Sequence, residues 1–249
     1  MRAPWIAVAA AVALVGAAGG AHAKPGSSIG VTVSIAGPQA AEMGSWADLR
    51  IELKNTGQDS AQAHVTLSVP DGSAQPAGAE GAQCSGTATV ECVQTLPGGS
   101  SVTLTLPVRW DGTGSRSVQA KARMEAGGSS AEASASSSVD VYRLVLSDVH
   151  TSAARASKTF VASATLARSD TGEALDARAL RCAAAIATAA KGGKTIATLL
   201  GKPTVDGAHV ECAWALPAKA HGRFVRALVL AGTHKDGMRT NYPFVRRVR

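Results

Sequence analysis

The chain has 249 residues, 45% hydrophobic and 17% charged, enough for one large domain or two of roughly 100 residues each, and too apolar to be disordered throughout. Aromatic residues make up only 4%, so any core is built from small and β-branched side chains, which suits lean β modules better than a deep catalytic pocket. The formal net charge of +7 is unevenly spread: Lys24 to Tyr142 carries 7 basic and 11 acidic side chains, whereas Arg143 to Arg249 carries 17 and 7. The two halves are therefore −4 and +10, and a boundary is expected near Tyr142.

Residues 1–23 read as a secretory signal. Arg2 supplies the positive start, Trp5 to Ala18 an uncharged apolar run, and Ala21-His22-Ala23 a cleavage site between small residues. An uncleaved anchor is the competing reading, since Ile6 to Ala23 is near the minimum length that spans a bilayer. No later apolar stretch is long enough to cross one, so the mature chain is expected to be secreted or associated with the cell envelope, without a transmembrane segment.

Strand patterns dominate the first half. Val31, Val33 and Ile35 alternate with Thr32 and Ser34, and Leu49 to Lys54 alternates cleanly until Asn55-Thr56-Gly57 stops it. The same period returns at Val65 to Val69, halted by Pro70-Asp71-Gly72, and at Val102 to Leu106, halted by Pro107. Val118 to Ala122 and Val139 to Val141 follow, with a turn at Gly127 to Ser130 between them; the Ser/Ala tract Ser134 to Ser138 reads as a frayed strand or a loop.

In the second half the strand candidates are Leu144 to Leu146, Phe160 to Leu166, Val210 to Leu216, Phe224 to Leu230 and Tyr242 to Val248. Turns are expected at Asp170-Thr171-Gly172 and Lys235-Asp236-Gly237. Glu173 to Lys191 carries helix start and stop features, yet Leu180, Cys182, Ala184 and Ile186 also fit a period of two. Short strands between turn residues, throughout both halves, predict an all-β chain of two consecutive Ig-like β-sandwich domains, 24–142 and 143–249.

Cys84, Cys92, Cys182 and Cys212 are an even set in an exported chain, which reads as two disulfides. Four cysteines allow three pairings. Cys84 with Cys92 and Cys182 with Cys212 is favoured because each pair then lies within one proposed domain, contributing about 2.5 and about 3.5 kcal/mol by chain entropy. Zinc is the competing reading, but no pair is spaced C-x2-C. Val90-Glu91-Cys92 to Leu96-Pro97 and Val210-Glu211-Cys212 to Leu216-Pro217 share V-E-C-x-x-x-L-P. The shared motif predicts two copies of one sandwich type, tips Glu173 to Lys191 toward strand, and places Trp214 over the second disulfide.

The strand Leu49 to Leu53, the turns Asn55-Thr56-Gly57 and Val69-Pro70-Asp71-Gly72, Cys84, Val90-Glu91-Cys92 and Leu96-Pro97-Gly98-Gly99-Ser100 together resemble a known bacterial repeat. It is the conserved repeat called domain of unknown function eleven, with its relatives among cell-adhesion-related Ig-like modules. The resemblance covers about residues 28 to 142. It implies an Ig-like sandwich in exported or surface proteins that serves as a spacer or adhesive module without catalytic residues. The second half looks like a diverged relative, departing in its cysteine spacing and its missing Asn-Thr-Gly and Pro-Gly-Gly turns. Neither half has the Cys, Trp, Cys order of antibody domains.

Catalytic, cofactor and metal motifs are weak. Gly26 to Gly30 matches G-x-S-x-G around Ser28, but no strand precedes it. Thr188 to Thr195 approaches a phosphate loop, with Thr188 where that loop needs Gly. Asp148 with His150, and His209 with Glu211, each offer two metal ligands where zinc takes at least three; His64, His221 and His234 stand apart. The basic residues Arg143, Arg155, Lys158, Arg168, Lys191, Lys194, Arg226 and Lys235 are scattered, without interleaved aromatics to stack bases. Nucleic acid is therefore not an expected partner.

The expected function is non-enzymatic attachment, adhesion or assembly in the cell envelope, with no cofactor. Its partner would be an anionic cell-wall polymer or another envelope protein, met by the basic half. A secreted enzyme or accessory module acting on envelope polymer, and a purely structural spacer, are the alternatives.

Overall fold

A computed structural model of the chain describes residues 29–76, 82–235 and 239–249. The signal-peptide reading of 1–23, Ser28 and the turn at Asp236-Gly237 lie outside the described residues. The chain divides into two compact units, Met1–Asp140 and Val141–Arg249. Both are β-sandwiches, and no α-helix occurs among the described residues.

The strands up to the boundary are β1 (Val31–Ala36), β2 (Ala40–Glu42), β3 (Trp46–Asn55), β4 (Ala61–Ser68), β5 (Gly72–Ala74), β6 (Gln83–Gly86), β7 (Thr89–Leu96), β8 (Ser101–Trp110), β9 (Gly114–Ala126) and β10 (Ser129–Tyr142). One sheet has the order β1-β3-β8-β5 and the other β2-β10-β9-β4-β7-β6. Alternation explains which face is which. Leu49, Ile51 and Leu53 on β3 pair in register with Leu106, Leu104 and Val102 on β8. The buried face carries Leu49, Ile51, Leu53, Leu104 and Leu106, and the residues between them on β3 are exposed. The facing sheet closes the core with Val65, Leu67, Val90, Ala120 and Met124.

The Ser/Ala tract is a strand. Ser134 to Ser138 lies within β10, where half-buried and exposed residues alternate, so small side chains are held by ladder pairing without a bulky core face.

The second unit follows with β11 (Leu144–Thr151), β12 (Thr159–Arg168), β13 (Ala179–Ala187), β14 (Thr195–Leu200), β15 (Lys202–Asp206), β16 (His209–Ala215), β17 (Phe224–Gly232) and β18 (Thr240–Arg247). Its sheets run β11-β12-β16-β15 and β14-β13-β17-β18. In immunoglobulin lettering these are A-B-E-D and C′-C-F-G. The first unit contains the same frame, β1-β3-β8-β5 facing β10-β9-β4, extended by β2 at one edge and by β7 and β6 at the other. Glu173 to Lys191 contains no helix, and the cysteine segment within it is strand β13.

The V-E-C motif corrects one inference. Cys92 lies on β7, beside β4 and in the sheet that also holds β9, whereas Cys212 lies on β16, between β12 and β15. The two motif strands occupy different places in a shared frame. Alternation followed by a proline stop describes any half-buried strand that ends in a turn, so it carries no information about lateral neighbours.

The disulfides consequently do different things. Cys84 and Cys92 are cross-strand partners on β6 and β7, their Cα atoms 4.1 Å apart. Cys182 and Cys212 join β13 in one sheet to β16 in the other, with Cα atoms 5.6 Å apart. Trp214, fully buried, stacks on Phe160 with ring centroids 5.8 Å apart. Gly201 is the single residue between β14 and β15, where the chain leaves one sheet and enters the other. A Cβ there would run into Cys182 Cβ and Trp214 Nε1, so only glycine lets the chain cross beside the disulfide and the tryptophan.

Candidate functional site

Three of the residues singled out for metal chemistry, His150, His209 and Glu211, fall on the outer face of the β11-β12-β16-β15 sheet. Cross-strand register places His150, Ser163, Glu211 and Thr204 in one row, and Ser147, Thr165, His209 and Asp206 in the next. Asp148 leaves this pattern: its φ of 48° and the register shift between Ser147 and His150 form a bulge that separates it from the regular face. Among the described residues no group of three His, Cys, Asp or Glu side chains is placed to hold a metal ion.

Thr188 to Thr195 is a hairpin connection between β13 and β14. Thr188 N donates to Lys194 O at 3.0 Å and Lys194 N to Thr188 Oγ1 at 3.0 Å. The Arg226 guanidinium donates to the carbonyls of Ala189 and Gly193 at 2.8 and 3.2 Å. A strand follows the loop, so the helix N-terminus that phosphate binding requires is missing.

Of the scattered basic residues, the structure gathers Lys191, Lys194 and Arg226 at one end of the β14-β13-β17-β18 sheet. Arg155 and Lys158 lie between β11 and β12, and Arg143 between β10 and β11. Arg168 is committed to structure. It forms a two-point pair with Asp170, at 2.7 and 3.0 Å, and lies over the Tyr142 ring at 4.4 Å. That hydrogen bonding raises the Arg168 pKa, and it holds the Asp170 carboxyl below its ordinary value.

A feature that charge counting passed over is how the second unit sorts its side chains between its two faces. Strands β13, β14, β17 and β18 contain no aspartate or glutamate, and they carry Arg181, Arg226, Arg246 and Arg247. The opposite sheet carries Asp148, Asp206 and Glu211 together with Arg168 and Lys202.

The acid-free sheet is also apolar on its outer face. Register aligns Leu200, Ala183, Leu228 and Pro243 across all four strands. Leu200 is 95% exposed, Leu228 and Leu230 are half-buried, and Pro243 is exposed. Arg181, Arg226 and Arg247 share this outer face, and Arg181 and Arg247 are exposed. The sequence held a sign of this. Phe224 to Leu230 is apolar at nearly every position, where a strand wetted on one side alternates.

No family model and no curated protein matches the chain. Solved structures to which the chain is similar include the CARDB domain of a Pyrococcus furiosus protein, 15% identical, covering 45% of this chain and 88% of that one, with a TM-score of 0.31. Red sea bream transglutaminase is 14% identical over 88% of this chain and 31% of its own, with a TM-score of 0.31. The bacterial hydrophobin BslA is 13% identical over 45% of this chain and 95% of its own, with a TM-score of 0.29. Two disulfides fit a compartment outside the cytoplasm, and no helix among the described residues is long and apolar enough to cross a membrane.

Proposed function

We propose that this is an exported, non-enzymatic Ig-like protein of the bacterial cell envelope whose second unit attaches it to an anionic surface. One observation carries the reading: the strands β14, β13, β17 and β18 carry four arginines and no carboxylate, whereas the opposite sheet mixes Asp148, Asp206 and Glu211 with Arg168 and Lys202. Charge of one sign collected on one face draws an oppositely charged surface, and the attraction fades with salt. The turn and cysteine motifs of residues 28 to 142 support the same reading, because they resemble repeats of exported and adhesive modules. Residues 24–142 then form the acidic module and residues 143–249 the basic one.

The test is co-sedimentation of the full chain with isolated cell-wall and membrane fractions at low and high salt. Attachment is expected at low salt, weakened in the Arg181→Gln/Arg247→Gln variant and largely lost at about 0.5 M salt, where the screening length falls to roughly 4 to 5 Å. Equal pelleting of wild type and variant at every salt concentration contradicts electrostatic attachment through this sheet.

A further inference from the structure

We infer that the outer face of the β14-β13-β17-β18 sheet is a docking surface for an anionic phospholipid bilayer; this deepens the attachment reading above and rests on it. Of the large apolar side chains exposed among the described residues, Ile196, Leu200 and Val245 lie on the outer face of β14 and β18, the two edge strands of this sheet, while Tyr242 stands on the other side of β18 against Phe244. Register extends Leu200 through Ala183 and Leu228 to Pro243, so the apolar row crosses the whole sheet. Contiguous apolar surface of this kind on a folded unit marks a place that something covers.

The charges beside the row decide what covers it. Arg181 stands two residues from the row on β13 and Arg247 four residues from it on β18, and no carboxylate lies on any of the four strands. A second copy related by two-fold symmetry would bring these arginines against their own images with no acid to relieve them. A phosphate- or carboxylate-bearing polymer satisfies the arginines but offers nothing apolar to Leu200, Leu228 and Pro243. An anionic bilayer supplies both: headgroup phosphates for the guanidinium groups, and the boundary of the acyl region for the apolar row. The loop from Thr188 to Lys194, held by Arg226, adds Lys191 and Lys194 at one end of the same sheet.

Two matched pairs of variants in the full chain test this without changing charge within the first pair. Leu200→Asn removes the apolar side chain from the proposed face, and Val205→Asn removes an exposed apolar residue from β15 in the opposite sheet. Arg247→Gln and Lys202→Gln make the corresponding charge comparison. Far-ultraviolet circular dichroism checks that each folds. The readout is flotation with vesicles of phosphatidylglycerol and phosphatidylcholine, with phosphatidylcholine alone as control, beside retention on immobilised dextran sulfate.

The expected result is binding to the anionic vesicles only, reduced roughly tenfold by Leu200→Asn, for a side chain moved from acyl boundary to water, and roughly fivefold by Arg247→Gln. Val205→Asn and Lys202→Gln should change it by less than about twofold, since both lie away from the surface. Vesicle binding that Leu200→Asn leaves unchanged overturns the bilayer inference while leaving electrostatic attachment standing. So does retention on dextran sulfate without vesicle binding, which points to a polymer. Binding to neither probe overturns both readings.

Discussion

The side-chain nitrogen of Asn55 donates to the Leu96 carbonyl at 3.1 Å, joining the end of β3 to the end of β7. The same nitrogen reaches Asp59 O at 2.8 Å, while Asn55 Oδ1 accepts from Gly57 N at 2.9 Å. Gly99 N in turn donates to Gly57 O at 2.9 Å. The Asn-Thr-Gly and Pro-Gly-Gly turns, distant in sequence, thus pack as one structure around a fully buried amide. Asn55→Leu should destabilise the first unit by about 2 to 4 kcal/mol, because three backbone groups lose a partner. Hydrogen exchange at β3 and β7 under mild denaturant reads this directly, and unchanged protection there would contradict it.

Removing the disulfides should have unequal reach. Cys182→Ser/Cys212→Ser breaks the disulfide that joins the two sheets of its unit, and is expected to cost about 3.5 kcal/mol. Protection should fall together across β13 and β16. Cys84→Ser/Cys92→Ser is expected to cost about 2.5 kcal/mol and to loosen chiefly β6, an edge strand. Exchange measurements on the two double variants distinguish the patterns.

Gly201→Ala should destabilise the second unit by roughly 1 to 3 kcal/mol through overpacking, since its methyl meets Cys182 and Trp214. Gly201 has no positive φ, so its loss reads packing and not backbone strain, whereas Gly222→Ala, where a Cβ meets nothing within 4 Å at a φ of 74°, reads strain alone. A thermal midpoint left unchanged by Gly201→Ala would show that packing against the disulfide contributes nothing.

The Arg168–Asp170 pair predicts a sign for pH dependence. Asp170 has a pKa below its ordinary 3.8 in the folded protein, so its contribution is present above that value and is lost as pH falls through the depressed one. Asp170→Asn should therefore narrow the difference in thermal midpoint between pH 7 and pH 3. At neutral pH the effect is small because the pair is solvent-facing. An unchanged difference between the two pH values would remove the pair from the acid response of the second unit.

Much of the fold was legible wherever one face of a strand is buried and the other wet, because that contrast writes a period of two into the residues. Leu49 to Lys54 and Phe160 to Leu166 are such strands. Strands β14 and β15, from Thr195 to Asp206, were not legible. They are edge strands whose residues are mostly exposed, so burial leaves no alternation to read. The apolar face was missed for a related reason. Leu200, Leu228 and Pro243 stand on three separate strands, and only lateral register puts them in one row.

The sequence by itself determined the all-β character, the main turns and the charge difference between the halves. Each of these is written in neighbouring residues, or in a sum over a segment. Tertiary structure decided which strands lie side by side, that equivalent-looking V-E-C strands take different places, and that one disulfide spans a sandwich while the other staples a hairpin. It also decided that every carboxylate on the strands of the second unit lies on one of its two sheets. Backbone hydrogen bonds between strands are the same for every residue type, so lateral order is set by how whole faces pack, and no local stretch of sequence encodes it.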